Sequence, residues 1–174
     1  MTETSRLLLR PLHPDDGPAV YRLFADPQVT RFYDLDTFHA RAEGDALVAR
    51  FIQRYQNCIG LRWALAFKTA PAELIGTCGY NIWIQPSRRA VLGFDLARPY
   101  WRQGLMAEAL QTILTYGFGI MQLNRVEALI FPQNIAASRL LEKSTFRHEG
   151  LLRQYEFIKG RFVDMALYSR LAND

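Results

Sequence analysis

The order of elements along this chain predicts a mixed α/β protein in which strands meet in a meander before one main helix. Three observations carry the prediction. Apolar, strand-like runs at residues 61–68, 74–84 and 90–97 follow one another with only short turns between them. The last of these leads through a tight turn at Gly104 into a long helical pattern. A further strand at residues 126–131 is broken by Pro132-Gln133-Asn134, which opens a second, shorter helix.

In chain order, Arg6-Leu7-Leu8-Leu9-Arg10-Pro11-Leu12 is a short apolar strand stopped by proline. His13-Pro14-Asp15-Asp16 supplies a turn and a helix cap, and a short helix through Val20, Leu23 and Phe24 ends before Asp26-Pro27. A second helical stretch begins near Thr37, which can cap it, and shows an apolar face at Ala42, Ala46, Leu47, Ala49, Phe51 and Ile52, with Gly44 as a weak point. In the strand at 74–84, Gly76 and Gly79 are possible bulges. Pro86-Ser87-Arg88-Arg89 makes the next turn. The main helix runs to about Met121, with Leu105, Ala109, Leu110, Ile113, Leu114 and Phe118 at helical spacing. The shorter helix runs to about Ser144, and residues 146–171 read as two strands around a Lys159-Gly160 hairpin turn.

With 174 residues and no linker or internal repeat, the expectation is one domain over residues 1–174. A hydrophobic fraction of 49% beside 22% charged residues points to a soluble globular chain. No window resembles a membrane span of ~20 apolar residues, and the acid-bearing start does not read as a signal peptide. Cys58 and Cys78 lie outside any metal or redox spacing and read as buried free thiols, so a cytoplasmic location is expected. The net charge of +4 and pI of about 9.3 suit a polyanionic partner, but the basic residues form no run. Nucleic acid is therefore not the expected partner.

Two segments carry chemistry. In Trp101-Arg102-Gln103-Gly104-Leu105-Met106-Ala107, a bare turn runs into a helix start, where unpaired N–H groups and the helix dipole can hold a phosphate. The turn lacks the glycines of a dinucleotide fingerprint and the Gly-Lys-Ser/Thr of a nucleotide loop. Downstream, Asn134 is a good N-cap and Ser138 lies one helical turn on, so both can line a cleft at the helix start. The plainer reading is a cap and a solvated serine.

Together, Tyr100-Trp101-Arg102-Gln103-Gly104-Leu105-Met106-Ala107-Glu108-Ala109, Leu123-Asn124-Arg125-Val126-Glu127-Ala128 and Asn134-Ile135-Ala136-Ala137-Ser138-Arg139-Leu140-Leu141-Glu142-Lys143 resemble the GNAT N-acetyltransferases. The likeness is greatest to the Rim-type subgroup, which acetylates N-terminal amines of ribosomal proteins. Arg6-Leu7-Leu8-Leu9-Arg10-Pro11 and Ile75-Gly76-Thr77-Cys78-Gly79-Tyr80 look like that subgroup as well. The resemblance implies a central, twisted, mostly antiparallel sheet flanked by helices. Two of its central strands, residues 90–97 and 126–131, would splay to admit the pantetheine arm of acetyl-CoA.

The same resemblance implies that the backbone of Arg102, Gln103, Gly104, Leu105, Met106 and Ala107 holds the pyrophosphate. Asn134 would contact pantetheine or a water, Ser138 would act as general acid for the CoA thiolate, and Arg139 and Lys143 could neutralise phosphates. Three positions depart from the family pattern. Trp101 and Met106 are tolerated in the Rim subgroup. Thr145 stands where glycine is usual, so that turn should adopt a non-glycine conformation or shift. Val91 stands where many relatives carry a glutamate that is a frequent candidate for the general base.

An α-amine with a pKa near ~8 is partly neutral at pH 7 and needs only a modest base, unlike a lysine amine near ~10.4. Asp95 and Glu127 are the acidic candidates for that base on the two splayed strands. Tyr80, Tyr155 and Asp164 could line the acceptor cleft or merely pack and solvate a sheet face. The expected activity is acetyl transfer in a ternary complex to a protein or peptide N-terminal amine, by a monomer or homodimer. The alternatives are a small-molecule amine acceptor and a non-catalytic acyl-CoA-binding module.

Overall fold

The computed structural model describes residues 2–174, so Met1 lies outside the described residues. Its strands are β1 (Thr2–Glu3), β2 (Leu7–Pro11), β3 (Leu61–Phe67), β4 (Gly76–Ile84), β5 (Arg89–Leu96), β6 (Arg125–Ile130), β7 (Arg147–Ile158) and β8 (Arg161–Leu171). Its helices are α1 (Gly17–Phe24), α2 (Pro27–Thr30), α3 (Arg41–Gln56), α4 (Leu105–Gly119) and α5 (Ile135–Lys143). The strands form one sheet in the order β1-β2-β3-β4-β5-β6-β8-β7. Every neighbouring pair is antiparallel except β5 and β6, which run parallel.

Alternation along the strands assigns the two faces. Ala90, Leu92 and Leu96 of β5 and Val126, Ala128 and Ile130 of β6 pack with Leu105, Ala109, Leu110 and Ile113 of α4 and with Ala137 and Leu141 of α5. On the opposite face, Val20, Leu23 and Phe24 of α1 and Leu47, Val48 and Phe51 of α3 close over Ala64. Helices α4 and α5 therefore share one face, and α1 and α3 cover part of the other.

Several local expectations need correction. Thr37 caps nothing: its hydroxyl pairs with that of Thr30 at 2.7 Å. Helix α3 starts instead at Arg41, where the Glu43 carboxylate accepts the His39 and Ala40 amides at 2.7 Å each. Gly44 is the point of closest approach to α1, since a Cβ there would stand 2.4 Å from the Gly17 carbonyl. The bulge in β4 falls between Tyr80 and Ile82, not at Gly76 or Gly79. Cys58 is exposed in the turn after α3; Cys78 is buried, and burial pushes its thiol up to about 12. Strand β1 and helix α2 are too short to leave a periodic signal.

The hairpin tip is as expected, with Lys159 and Gly160 at positive φ of 50° and 77°, the pattern of a two-residue primed turn. Lys159 Nζ donates to the Thr30 carbonyl at 2.8 Å, tying this tip to the end of α2.

Thr145, just after α5, neither shifts the turn nor avoids its left-handed conformation: it sits at φ 61°. Its amide bonds to the Glu142 carbonyl at 3.0 Å, closing the helix end. A β-branched residue is strained there, by roughly 1–2 kcal/mol. Thr145→Gly is expected to stabilise the fold by about 1 kcal/mol, raising Tm by ~2–4 °C in thermal unfolding. A Tm equal to or below that of the parent would count against the strain.

Candidate active site

The strands β5 and β6 touch over only three residue pairs: Arg89 with Arg125, Ala90 with Val126 and Val91 with Glu127. Beyond these the strands part. Each is still held on its outer side, β5 by β4 as far as Gly76 opposite Leu96 and β6 by β8 as far as Ile130 opposite Ala166. The parted edges open toward the C-terminal ends of two parallel strands, each of which feeds a helix on the same face. In open α/β sheets this is where ligands bind.

One helix start faces this opening with free donors. The first backbone bond of α4 runs from the Glu108 amide to the Gly104 carbonyl at 3.1 Å. Among the described residues, the amides of Leu105, Met106 and Ala107 have no partner, and Gly104 supplies no side-chain cap. The Leu105 and Met106 side chains turn inward and are buried, so they leave the amides unobstructed. Arg102 and Gly104 both hold positive φ, 62° and 76°. A Cβ on Gly104 would meet only the Arg6 guanidinium, at 3.6 Å, so the glycine is demanded by conformation and not by space.

The loop is braced from outside. The Trp101 indole donates to the Leu96 carbonyl at 2.6 Å, Gln103 Nε2 to the Pro99 carbonyl at 2.9 Å, and Arg6 Nη1 to the Gln103 carbonyl at 3.0 Å. Arg6 also pairs with Glu108 at 2.8 Å, and the same carboxylate accepts from the Arg6 amide and from the Thr4 and Ser5 hydroxyls. Burial raises the Glu108 carboxyl, but these donors outweigh it and hold it down at about 2. Sequence reading missed Arg6 as part of the site, since nothing local links it to a loop about a hundred positions away.

At the start of α5, Asn134 Oδ1 accepts the Ala137 amide at 3.1 Å. Ser138 Oγ lies 2.7 Å from the Tyr168 hydroxyl and donates to Glu142 Oε1 at 3.1 Å. Tyr168, on β8, also went unnoticed: in sequence it is one aromatic in a strand. Arg139 and Lys143 are exposed on the same helix.

Asp95 and Glu127 lie on the other face, with Val91. Asp95 is buried, its side chain 2% exposed. It is ion-paired with Arg62 and accepts from the Thr77 amide at 3.1 Å, the Thr77 hydroxyl at 2.9 Å and the Tyr33 hydroxyl at 3.4 Å. Burial pushes its carboxyl up, while Arg62 and Thr77 pull it back. Glu127 is shared between Arg89 and, at 2.7 Å, Arg125. Neither carboxylate is unpaired. Tyr80 does not line a cleft: it is buried under α4 and donates to the Ile113 carbonyl at 2.8 Å. Tyr155 and Asp164 sit on the β7–β8 hairpin, where Asp164 accepts the Gln154 amide at 2.8 Å.

The profile of the family described as "Acetyltransferase (GNAT) domain" matches residues 6–147. This chain belongs to the GNAT acetyltransferase family. It is similar to two further N-acetyltransferases, both described as uncharacterized. One is p20 of Bacillus licheniformis, 36% identical over 98% of this chain and 96% of that one. The other is YoaA of Bacillus subtilis strain 168, 35% identical over 96% and 94%. Among solved structures, the RimL ribosomal L7/L12 α-N-protein acetyltransferase in complex with coenzyme A matches with a TM-score of 0.86. That match covers 97% of this chain and 95% of the other at 21% identity, a likeness of fold. As expected from its sequence, this GNAT acetyltransferase has a mixed sheet with parted central strands. No helix of the described residues is long and apolar enough to cross a membrane.

Two outcomes follow. Gly104→Val is expected to weaken acetyl-CoA binding about tenfold or more by calorimetry, because a β-branched residue resists φ 76° and distorts the amide array. Unchanged affinity would separate this loop from the cofactor. Glu108 has a folded pKa below its unfolded value, so its stabilisation is complete above about pH 4.5 and is lost as pH falls toward about 2. In acid denaturation, Glu108→Gln should therefore lie below the parent in stability at pH 6 and converge with it near pH 2. Parallel curves would show that the carboxylate contributes nothing.

Proposed function

We propose that this acetyl-CoA-dependent enzyme acetylates the α-amine of a protein or peptide N-terminus. The parted β5 and β6 edges, opening beside the free amides of α4, carry the reading. An extended pantetheine arm presents amides that could pair with strand edges, and the amides of Leu105, Met106 and Ala107 suit its pyrophosphate. The likeness in fold to a ribosomal-protein N-terminal acetyltransferase supports the acceptor class. So does the concavity beside α3, where Arg50 and Arg54 line the wall with Tyr33, Asp34 and Asn81. Two guanidiniums disfavour a polycationic amine.

On this reading the amine arrives neutral and sheds its proton to water after attack. Asp95 and Glu127 hold the acceptor face in shape through their arginine pairs and do not take that proton directly. Ser138 donates to the thiolate as it leaves, and Asn134, with its amide nitrogen uncommitted, steadies the arm.

The test is CoA release with a panel of free-N-terminus peptides, the same peptides N-terminally blocked, spermidine and free amino acids. The free peptides are expected to give the highest kcat/KM. A polyamine outrunning them would overturn the acceptor class, and cofactor binding with no turnover on any amine would favour a binding module. Ser138→Ala is expected to lower kcat about 10²-fold with acetyl-CoA KM nearly unchanged. A parent-like kcat would remove Ser138 from the chemistry.

A further inference from the structure

The geometry points to Tyr168 as the positioning residue that readies the Ser138 hydroxyl to protonate the departing thiolate, an inference that rests on the proposed role of Ser138. Tyr168 stands opposite Ala128 of β6, beside the parted strands, and is 6% exposed. Its ring packs against His148 at 5.0 Å. Its hydroxyl meets only Ser138 and Glu142 among the described residues. The hydroxyl therefore has no other structural task, and phenylalanine would fill the same space.

Proton placement follows from three distances. Ser138 Oγ and the Tyr168 hydroxyl are 2.7 Å apart, Ser138 Oγ and Glu142 Oε1 3.1 Å, and the Tyr168 hydroxyl and Glu142 Oε1 3.4 Å. Two hydroxyl protons serve these contacts. If Ser138 donates to Glu142 and Tyr168 donates to Ser138, both shorter contacts are satisfied. The reverse arrangement relies on the 3.4 Å contact, at the outer limit of a hydrogen bond. Ser138 thus accepts from Tyr168 and keeps its own proton on an exchangeable acceptor.

During transfer, the amine nitrogen bonds to the acetyl carbon, the carbon–sulfur bond breaks and its electron pair goes to sulfur. Ser138 turns its O–H from Glu142 to the sulfur and hands over the proton. The proton that the amine sheds reaches Ser138 Oγ through water in the same step, so no serine alkoxide is left beside the more acidic Tyr168 phenol. Tyr168 keeps its proton throughout. Its donation holds Ser138 Oγ in place and stabilises the negative charge that builds there, since linked hydrogen bonds strengthen one another.

A double-variant cycle tests this. Tyr168→Phe is expected to lower kcat about tenfold, with acetyl-CoA KM within about twofold and Tm unchanged. Adding Tyr168→Phe to Ser138→Ala is expected to cause no further loss of kcat. A parent-like kcat for Tyr168→Phe, or losses that multiply in the double variant, would overturn the inference while leaving Ser138 in place. Full activity of Ser138→Ala would overturn both. If Tyr168→Phe fails to fold, difluorotyrosine at position 168 keeps the ring and hydroxyl while strengthening the donor. Its kcat is then expected to rise, and an unchanged kcat would count against the role.

Discussion

The structure depends on two parallel strands that cannot stay together. Strands β5 and β6 share three rungs and then diverge, each still paired along its outer side to an antiparallel neighbour, β4 through one bulge and β8 without a break. A parallel pair requires a crossover, and here the crossover is α4, which packs on the face shared with α5. The divergence therefore lies next to two helix starts. Backbone groups left unpaired inside a sheet are costly. On the proposed reading, an extended, amide-bearing cofactor is what pairs with them.

The charges around this opening are arranged so as not to obstruct it. Glu108 lies in the first turn of α4, where a carboxylate is favoured by the dipole and could itself occupy the free amides. Arg6, Thr4 and Ser5 draw it to the outside of the helix instead. On the far face, Arg62 is saturated by Asp95, Thr77 and Asn81 and stacks on the Phe51 ring at 4.8 Å. This knot joins β3, β4 and β5 beneath α3. Taking away one partner of such a buried pair costs about 3–5 kcal/mol, because it leaves the other charge buried and uncompensated.

Much of the fold was legible in sequence because its elements are long enough to show a period. The apolar spacing from Leu105 to Leu114, the turn at Lys159-Gly160 and the break at Pro132 each mark a boundary within a few residues. The turn at Gly104 was legible only in company: one glycine before a helix is a weak signal, and the later Asn134–Lys143 segment is what made it part of a family pattern. What escaped reading is what distant residues do together. Asp95 was one of two candidate bases, and no local signal shows that Arg62 and Thr77 enclose it from neighbouring strands. Glu127 has one partner two residues away, but the other, Arg89, lies on β5. Tyr80, at the edge of the β4 bulge, is core because α4 lies over it, and no local signal shows that. Thr145 was expected to give the turn a non-glycine conformation or to shift it, and instead the helix end imposes its left-handed conformation on an unsuited residue.

The missing rungs between β5 and β6 leave two strand edges inside the sheet without partners in each other. On the proposed reading acetyl-CoA occupies that seam in the native chain alone, and at about 100 times its dissociation constant it adds ~2.7 kcal/mol to folding. Cofactor supply then sets how readily this part of the sheet opens.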